Sequence, residues 1–206
     1  MTSTLKHITA SLCIALWLTA CGSSPQSNFY RLTAAVSPSP GGQTPTVGIG
    51  PIDIPEFLNR NAMVYTRDGN QLQVAGEELW AEPLDYGITR VMGINLSHLL
   101  HSEDIRFFPW DVRHAPEYGV KVRVLDLDAR DGQAMLVAEW LLYRPSDGSG
   151  IIRRMSQLNK PLATGRTMPA QLPAAYSALL YELSEIIAAA IEEEESKPAN
   201  AEPGAS

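Results

Sequence analysis

Apolar and polar positions along this chain change period several times, and each change marks an element. Val120-Lys121-Val122-Arg123-Val124 alternates apolar against basic, the period-two pattern of a half-buried strand. Leu125 and Leu127 then take the apolar phase against Asp126 and Asp128. A phase change of one residue inside a strand predicts a β-bulge. After the turn residues Asp131-Gly132, Leu136, Ala138, Trp140 and Leu142 occupy one side of a second strand, Gln133 to Tyr143. Met135, Val137 and Leu141 make its other side apolar as well, which predicts a central position in the sheet. Pro145 to Gly150 reads as a turn, and Ile151 to Leu158 as the third strand of this meander.

Upstream, Ala62 to Thr66 and Leu72 to Val74 flank Asp68-Gly69-Asn70 and predict a hairpin. Val47, Ile49, Ile52 and Ile54 mark a short strand, and Pro51 points to an edge position or a bulge in it. Phe29 to Leu32 reads as a brief edge strand, and Ile105 to Phe108 as a strand ending at Pro109. Ala34 to Thr46 holds Pro38, Pro40, Gly41, Gly42 and Pro45 and is expected to be an extended, flexible loop without a core of its own.

Two stretches have helical period. Glu82-Pro83 opens the first, since a missing N–H costs nothing in the first turn. Leu84, Ile88, Val91, Met92, Leu96, Leu99 and Leu100 then form one apolar stripe, and Gly93 leaves room for a close neighbour. The second runs from about Pro169 to Glu194, with Tyr176, Leu179, Leu180, Leu183, Ile187 and Ile191 in its stripe. The order of elements predicts an α+β fold. It is a two-layer domain, a mainly antiparallel sheet with two helices packed on one face.

The N-terminus follows different rules. Lys6 and His7 precede an apolar run from Ile8 to Ala20, too short to span a bilayer but suited to a secretory signal. It ends in Leu18-Thr19-Ala20-Cys21, which resembles the bacterial lipobox. The resemblance implies a diacylglycerol on the Cys21 sulfur, cleavage after Ala20 and an acyl chain on the new amino group. Cys13 leaves with the signal, so Cys21 becomes the lone cysteine of the mature chain, without a disulfide partner. Several acyl chains give stable anchoring at about 0.8 kcal/mol per buried methylene. Gly22, where Asp would favour inner-membrane retention, points to a periplasm-facing place on the outer membrane. The expected organisation is a lipoprotein signal peptide over 1–20 and a lipidated tether, strand and Pro/Gly-rich loop over 21–46. The folded domain then covers 47–194, and a disordered acidic tail 195–206.

Composition narrows the function. The 206 residues hold 16 Lys plus Arg against 23 Asp plus Glu, a formal charge of −7. That balance argues against nucleic acid as a partner. With 45% hydrophobic residues the chain can bury a real core. Elsewhere no apolar run reaches the eighteen or so residues of a membrane-spanning helix.

Catalytic signals are weak. His98 and His101 lie three apart with Glu103 nearby, but without a third ligand at a zinc spacing. Asp126, Asp128 and Asp131-Gly132 fail as a calcium loop, because Arg130 and Val137 stand at ligand positions; outward carboxylates are expected instead. There is no GxSxG, and Gly48-Ile49-Gly50-Pro51 lacks the Lys and Ser/Thr of a phosphate loop. No catalytic residue, metal site or cofactor is assigned beyond the covalent lipid of Cys21, and the chain is not expected to be an enzyme. Trp80 and the Phe107-Phe108-Pro109-Trp110 cluster are expected in the core or at its edge.

Several words of the sequence carry a family resemblance. They are Val47 to Arg60 (VGIGPIDIPEFLNR), Tyr65-Thr66-Arg67, Leu79 to Leu84 (LWAEPL), and Phe29-Tyr30-Arg31-Leu32 just after the lipobox. Together they resemble the ABC-type transport auxiliary lipoprotein family. The resemblance implies a non-catalytic outer-membrane accessory subunit of an MCE-type intermembrane lipid transport system that maintains envelope integrity. Implied partners are the outer membrane, an MCE-domain protein and other copies of the chain. Phe57, Leu58 and Arg60 are candidate partner-binding residues, with closure of the core as the alternative role for Phe57 and Leu58. Two other functions stay open at this level: an independent periplasmic lipid carrier, and an envelope hydrolase.

Overall fold

The computed structural model describes residues 26–38, 41–42, 45–163 and 168–197. The expected signal peptide, Cys21 and the tail beyond Lys197 lie outside the described residues.

The long alternating segments form the centre. β6 (Tyr118–Arg130), β7 (Gln133–Tyr143) and β8 (Gly150–Pro161) make an antiparallel meander with β7 in the middle, as its two apolar faces predict. The predicted phase change is a bulge: the β6–β7 register shifts between Val124 and Asp126. The displaced residue, Leu125, points to solvent at 40% exposure, and burial resumes at Leu127. Beyond β6 the sheet continues through β2 (Val47–Asp53) to β5 (Ile105–Phe107), both parallel to β6. Pro51 takes the bulge option rather than the edge. The β2–β6 register shifts between Ile49 and Ile52, while β2 itself lies inside the sheet. Gly50 there has φ +109°, a backbone state open to glycine and strained for other residues.

A second sheet has β4 (Gln71–Trp80) between β1 (Asn28–Tyr30) and β3 (Ala62–Asp68). β3 and β4 are the predicted hairpin; β1 joins parallel to the last residues of β4. The α+β, two-layer organisation is as read from the sequence. The strands fall into two mixed sheets, in which the shorter pairings are parallel.

Helices α1 (Leu84–Leu99) and α2 (Met168–Glu195) pack on the five-stranded sheet and on each other. Their stripes meet Ile49, Val120, Leu136, Trp140 and Leu142, all fully buried. Each such side chain contributes about 1.5–3 kcal/mol of hydrophobic stabilisation. By length and composition Pro169–Glu195 could cross a bilayer, yet 56% of its apolar 18-residue stretch is buried in the fold. The acidic run is structural at its start. Glu192 to Glu195 are helical, Tyr118 donates a hydrogen bond to Glu195, and Arg144 bonds Glu194 at 3.3 Å.

Two expectations are corrected. The Pro/Gly-rich segment is tied down where it is described. The Ala35 N–H donates to Asn95 Oδ1 at 3.3 Å, the Gly41 N–H to Glu103 Oε1 at 3.2 Å, and Gly42 bridges to Ser102. Composition forecast its extended path but not the side chains that meet its backbone. Asp128 is not an outward carboxylate: it is 4% exposed. It accepts hydrogen bonds from the Thr66 N–H at 2.7 Å, the Thr66 hydroxyl at 2.5 Å and the Ala129 N–H at 2.7 Å. One side chain thereby fastens the hairpin to the main sheet.

Candidate functional site

Three glycines lie against three aromatic residues at one end of the sheet. A Cβ on Gly48 would lie 2.7 Å from the Trp110 ring, and one on Gly93 of α1 would lie 2.5 Å from the Phe107 ring. At Gly50 it would meet the Cβ of Phe108 at 3.0 Å. The absence of a side chain lets a ring approach the backbone at Gly48 and Gly93, and lets the Phe108 Cβ do so at Gly50. Phe108 and Trp110 also pack edge to face, with centroids 5.5 Å apart.

The rings close only one side of the cluster. Between the bulge of β2, the end of β5 and the first turns of α1 runs a groove of about 450 Å3. Gly50, Pro51, Ile52, Tyr86, Phe107 and Phe108 provide its apolar lining. Tyr86 is 68% exposed, Phe107 48% and Phe108 53%. The expectation that the Phe107–Trp110 cluster belongs to the core or its edge is therefore corrected for both phenylalanines. Phe107 rests its ring on Gly93, Phe108 sets its Cβ against Gly50, and both line the groove. Trp80 does sit in the core, 5% exposed and stacked on Tyr176.

Two polar residues of the groove margin, Thr89 and Arg90, are already engaged, and the Asp85 carboxylate lines it beside them. The Arg90 guanidinium pairs with Glu82 and donates to the Leu32 carbonyl at 3.0 Å. The Thr89 hydroxyl donates to the Asp85 carbonyl at 2.7 Å. Behind the groove, Arg106 bonds Asp104 and holds its carboxyl below the usual carboxylate range. The groove thus offers a ligand mainly apolar contact.

The residues singled out from sequence lie elsewhere. Cys21 is outside the described residues. Phe57 and Leu58 belong to a short 3-10 turn, Glu56–Leu58. Leu58 is 4% exposed and closes the core, Phe57 packs against the core half-buried, and Arg60 is exposed. None of the three lines the groove. The His98 and His101 rings are 6.3 Å apart, and His98 Nδ1 lies 3.0 Å from the Ser37 carbonyl. Among the described residues no group of three or more His, Cys, Asp or Glu is placed to hold a metal ion. Sequence reading missed the groove. Its trace in the sequence is the alternation Gly48-Ile49-Gly50, two gaps on one strand face, together with the run of rings from Phe107 to Trp110.

Residues 30–188 match the model of the ABC-type transport auxiliary lipoprotein component. The intermembrane transport lipoprotein PqiC of Escherichia coli K12 is 29% identical over 141 residues, 62% of this chain and 70% of that protein. PqiC of Shigella flexneri gives the same figures. Among solved structures, a Xanthomonas campestris protein superposes with a TM-score of 0.63 at 15% identity. The match covers 82% of this chain and all of that one, a likeness of fold. The family match spans both sheets, α1 and most of α2, so the chain belongs to the ABC-type transport auxiliary lipoprotein family.

Proposed function

We propose that the chain is an outer-membrane lipoprotein facing the periplasm, anchored by diacylglycerol and an N-acyl chain on Cys21. In this reading it is a non-catalytic accessory subunit of an MCE-type intermembrane lipid transport system, docking an MCE-domain protein as one of several identical copies. The observation that carries it is the lipobox Leu18-Thr19-Ala20-Cys21 standing directly before a domain of the transport auxiliary lipoprotein family. The relatives named for intermembrane transport support the transport role. The engaged state of Thr89 and Arg90 beside the groove supports binding rather than catalysis there. Holding the domain in a membrane plane raises its effective concentration for partners in that plane.

The test is palmitate labelling with membrane fractionation, followed by in-cell crosslinking and mass spectrometry. The wild-type protein should carry the label, sediment with outer membranes and crosslink to an MCE-domain protein. Cys21→Ala should lose the label and leave the outer-membrane fraction. A Cys21→Ala protein that keeps its place in the outer membrane, with full function, overturns the anchoring. Recovery of the protein alone with bound lipid favours an independent carrier.

A further inference from the structure

We infer that the groove between β2, β5 and α1 binds a single lipid acyl chain from the bilayer that holds Cys21. The inference rests on the anchoring reading and adds a site to it.

The first argument is position. β1 is fixed to the start of α1: the Ala81 N–H donates to the Tyr30 carbonyl at 2.7 Å, and Arg90 holds the Leu32 carbonyl. Arg90 also lines the groove, so the end of the tether and the groove share one end of α1. From Cys21 to Asn28 the chain spans at most about 25 Å fully extended. The groove therefore stays near the membrane surface in an anchored molecule. Phe29, 67% exposed on β1, adds another apolar ring on the tether side.

The second argument is chemistry. A volume of about 450 Å3 falls within the range of small-molecule sites. An extended peptide would bring backbone N–H and C=O groups that need partners. The Thr89 hydroxyl and Arg90 guanidinium at the margin are already committed, and apart from the Asp85 carboxylate the remaining lining is aromatic, aliphatic, glycine and proline. A hydrocarbon chain asks only for apolar contact. Glu82 already balances Arg90 and Asp85 adds a carboxylate at the margin, so binding should gain nothing from an anionic headgroup.

The test uses the full-length lipidated protein in vesicles of phosphatidylethanolamine and phosphatidylglycerol. The vesicles contain a phosphatidylethanolamine with a diazirine near the middle of one acyl chain. Photolabelled sites are mapped by mass spectrometry. Label is expected at Tyr86 and across Phe107–Trp110. The double variant Tyr86→Ser/Phe108→Ser changes two exposed positions, so the fold should persist. It should lower groove labelling about tenfold, the change that ~1.4 kcal/mol of lost apolar contact produces. Label confined to residues 21–29, or groove labelling equal in the double variant, overturns the inference. A co-purifying polypeptide that shields the groove from label does so as well. The N-terminal peptide mass and vesicle flotation report separately on the anchor. If Cys21 carries no lipid, the anchoring reading fails. The same probe in mixed micelles then still decides whether the groove takes a chain.

Discussion

Single residues decide how the two sheets are joined. Asp128 supplies a side-chain substitute for strand pairing, capturing the backbone and hydroxyl of Thr66. Asp128→Ala should destabilise the domain by about 1–3 kcal/mol in urea unfolding, because the Thr66 N–H loses its acceptor. Its neighbour Asp126 has the opposite effect near neutrality. Burial first, and the Asp128 carboxylate second, push the Asp126 carboxyl above the usual carboxylate range. The folded domain thus binds that proton more tightly than the unfolded chain. The associated stability is full below the ordinary value of 3.8 and is lost as pH rises through the raised value. Asp126→Asn should therefore raise the melting temperature at pH 7, with the gap to wild type closing as pH falls toward 4. A gap that is constant with pH would contradict this. The burial of Asp128 was not legible in sequence, since Asp126 and Asp128 read alike until the hairpin packs beside one of them.

Elements formed by local pattern were legible, and those formed by distant pairing were not. The β3–β4 hairpin, the Val124–Asp126 bulge, central β7 and both helical stripes follow from period and turn residues alone. The three residues of β5 carry no such signal, and their parallel place beside β2 depends on α1 folding back between them. The groove inherits this difficulty: its walls come from β2, α1 and β5, and only their meeting makes Gly93 a seat for Phe107. Gly93→Ala separates the two roles of that position. Alanine adds about 1 kcal/mol of helix propensity while displacing the Phe107 ring. Stability in urea should change by less than about 1 kcal/mol, whereas acyl-chain photolabelling of Phe107 should fall. The end of α2 gives a second check. Four glutamates at a helix C-terminus oppose the helix dipole. Arg144 meets them there, bonding Glu194 and lying 5.2 Å over the Tyr118 ring. Arg144→Ala should speed amide hydrogen exchange at Glu193–Lys197 and leave β6 and β7 protected.

For the whole molecule, tether and groove form one geometric unit around the start of α1. On the proposed anchoring, this is the end that the tether would hold toward the bilayer, whereas α2 finishes beside Tyr118 at the start of β6. Inserting a flexible Gly/Ser segment of about 20 residues after Gly22 would keep the lipid anchor but about double the root-mean-square reach. Groove labelling from the bilayer should then fall, while vesicle flotation stays unchanged. The family words Val47–Arg60 already contained half of this unit, the glycines and proline of the β2 bulge. Their partner rings lie more than fifty residues later in the chain.

The position of β2 also sets an order of events. Val47 and Ile49 pair on one side with Ile105 and Phe107 and on the other with Tyr118 and Val120. A nascent chain that ends before Tyr118 leaves β2 without β6, and α1 has no completed sheet to cover. Closure must wait until nearly the whole chain is available, which places the domain among the slower-folding, non-local topologies. A protein threaded unfolded across a membrane gains from that delay, because no stable half-domain can form and jam the passage.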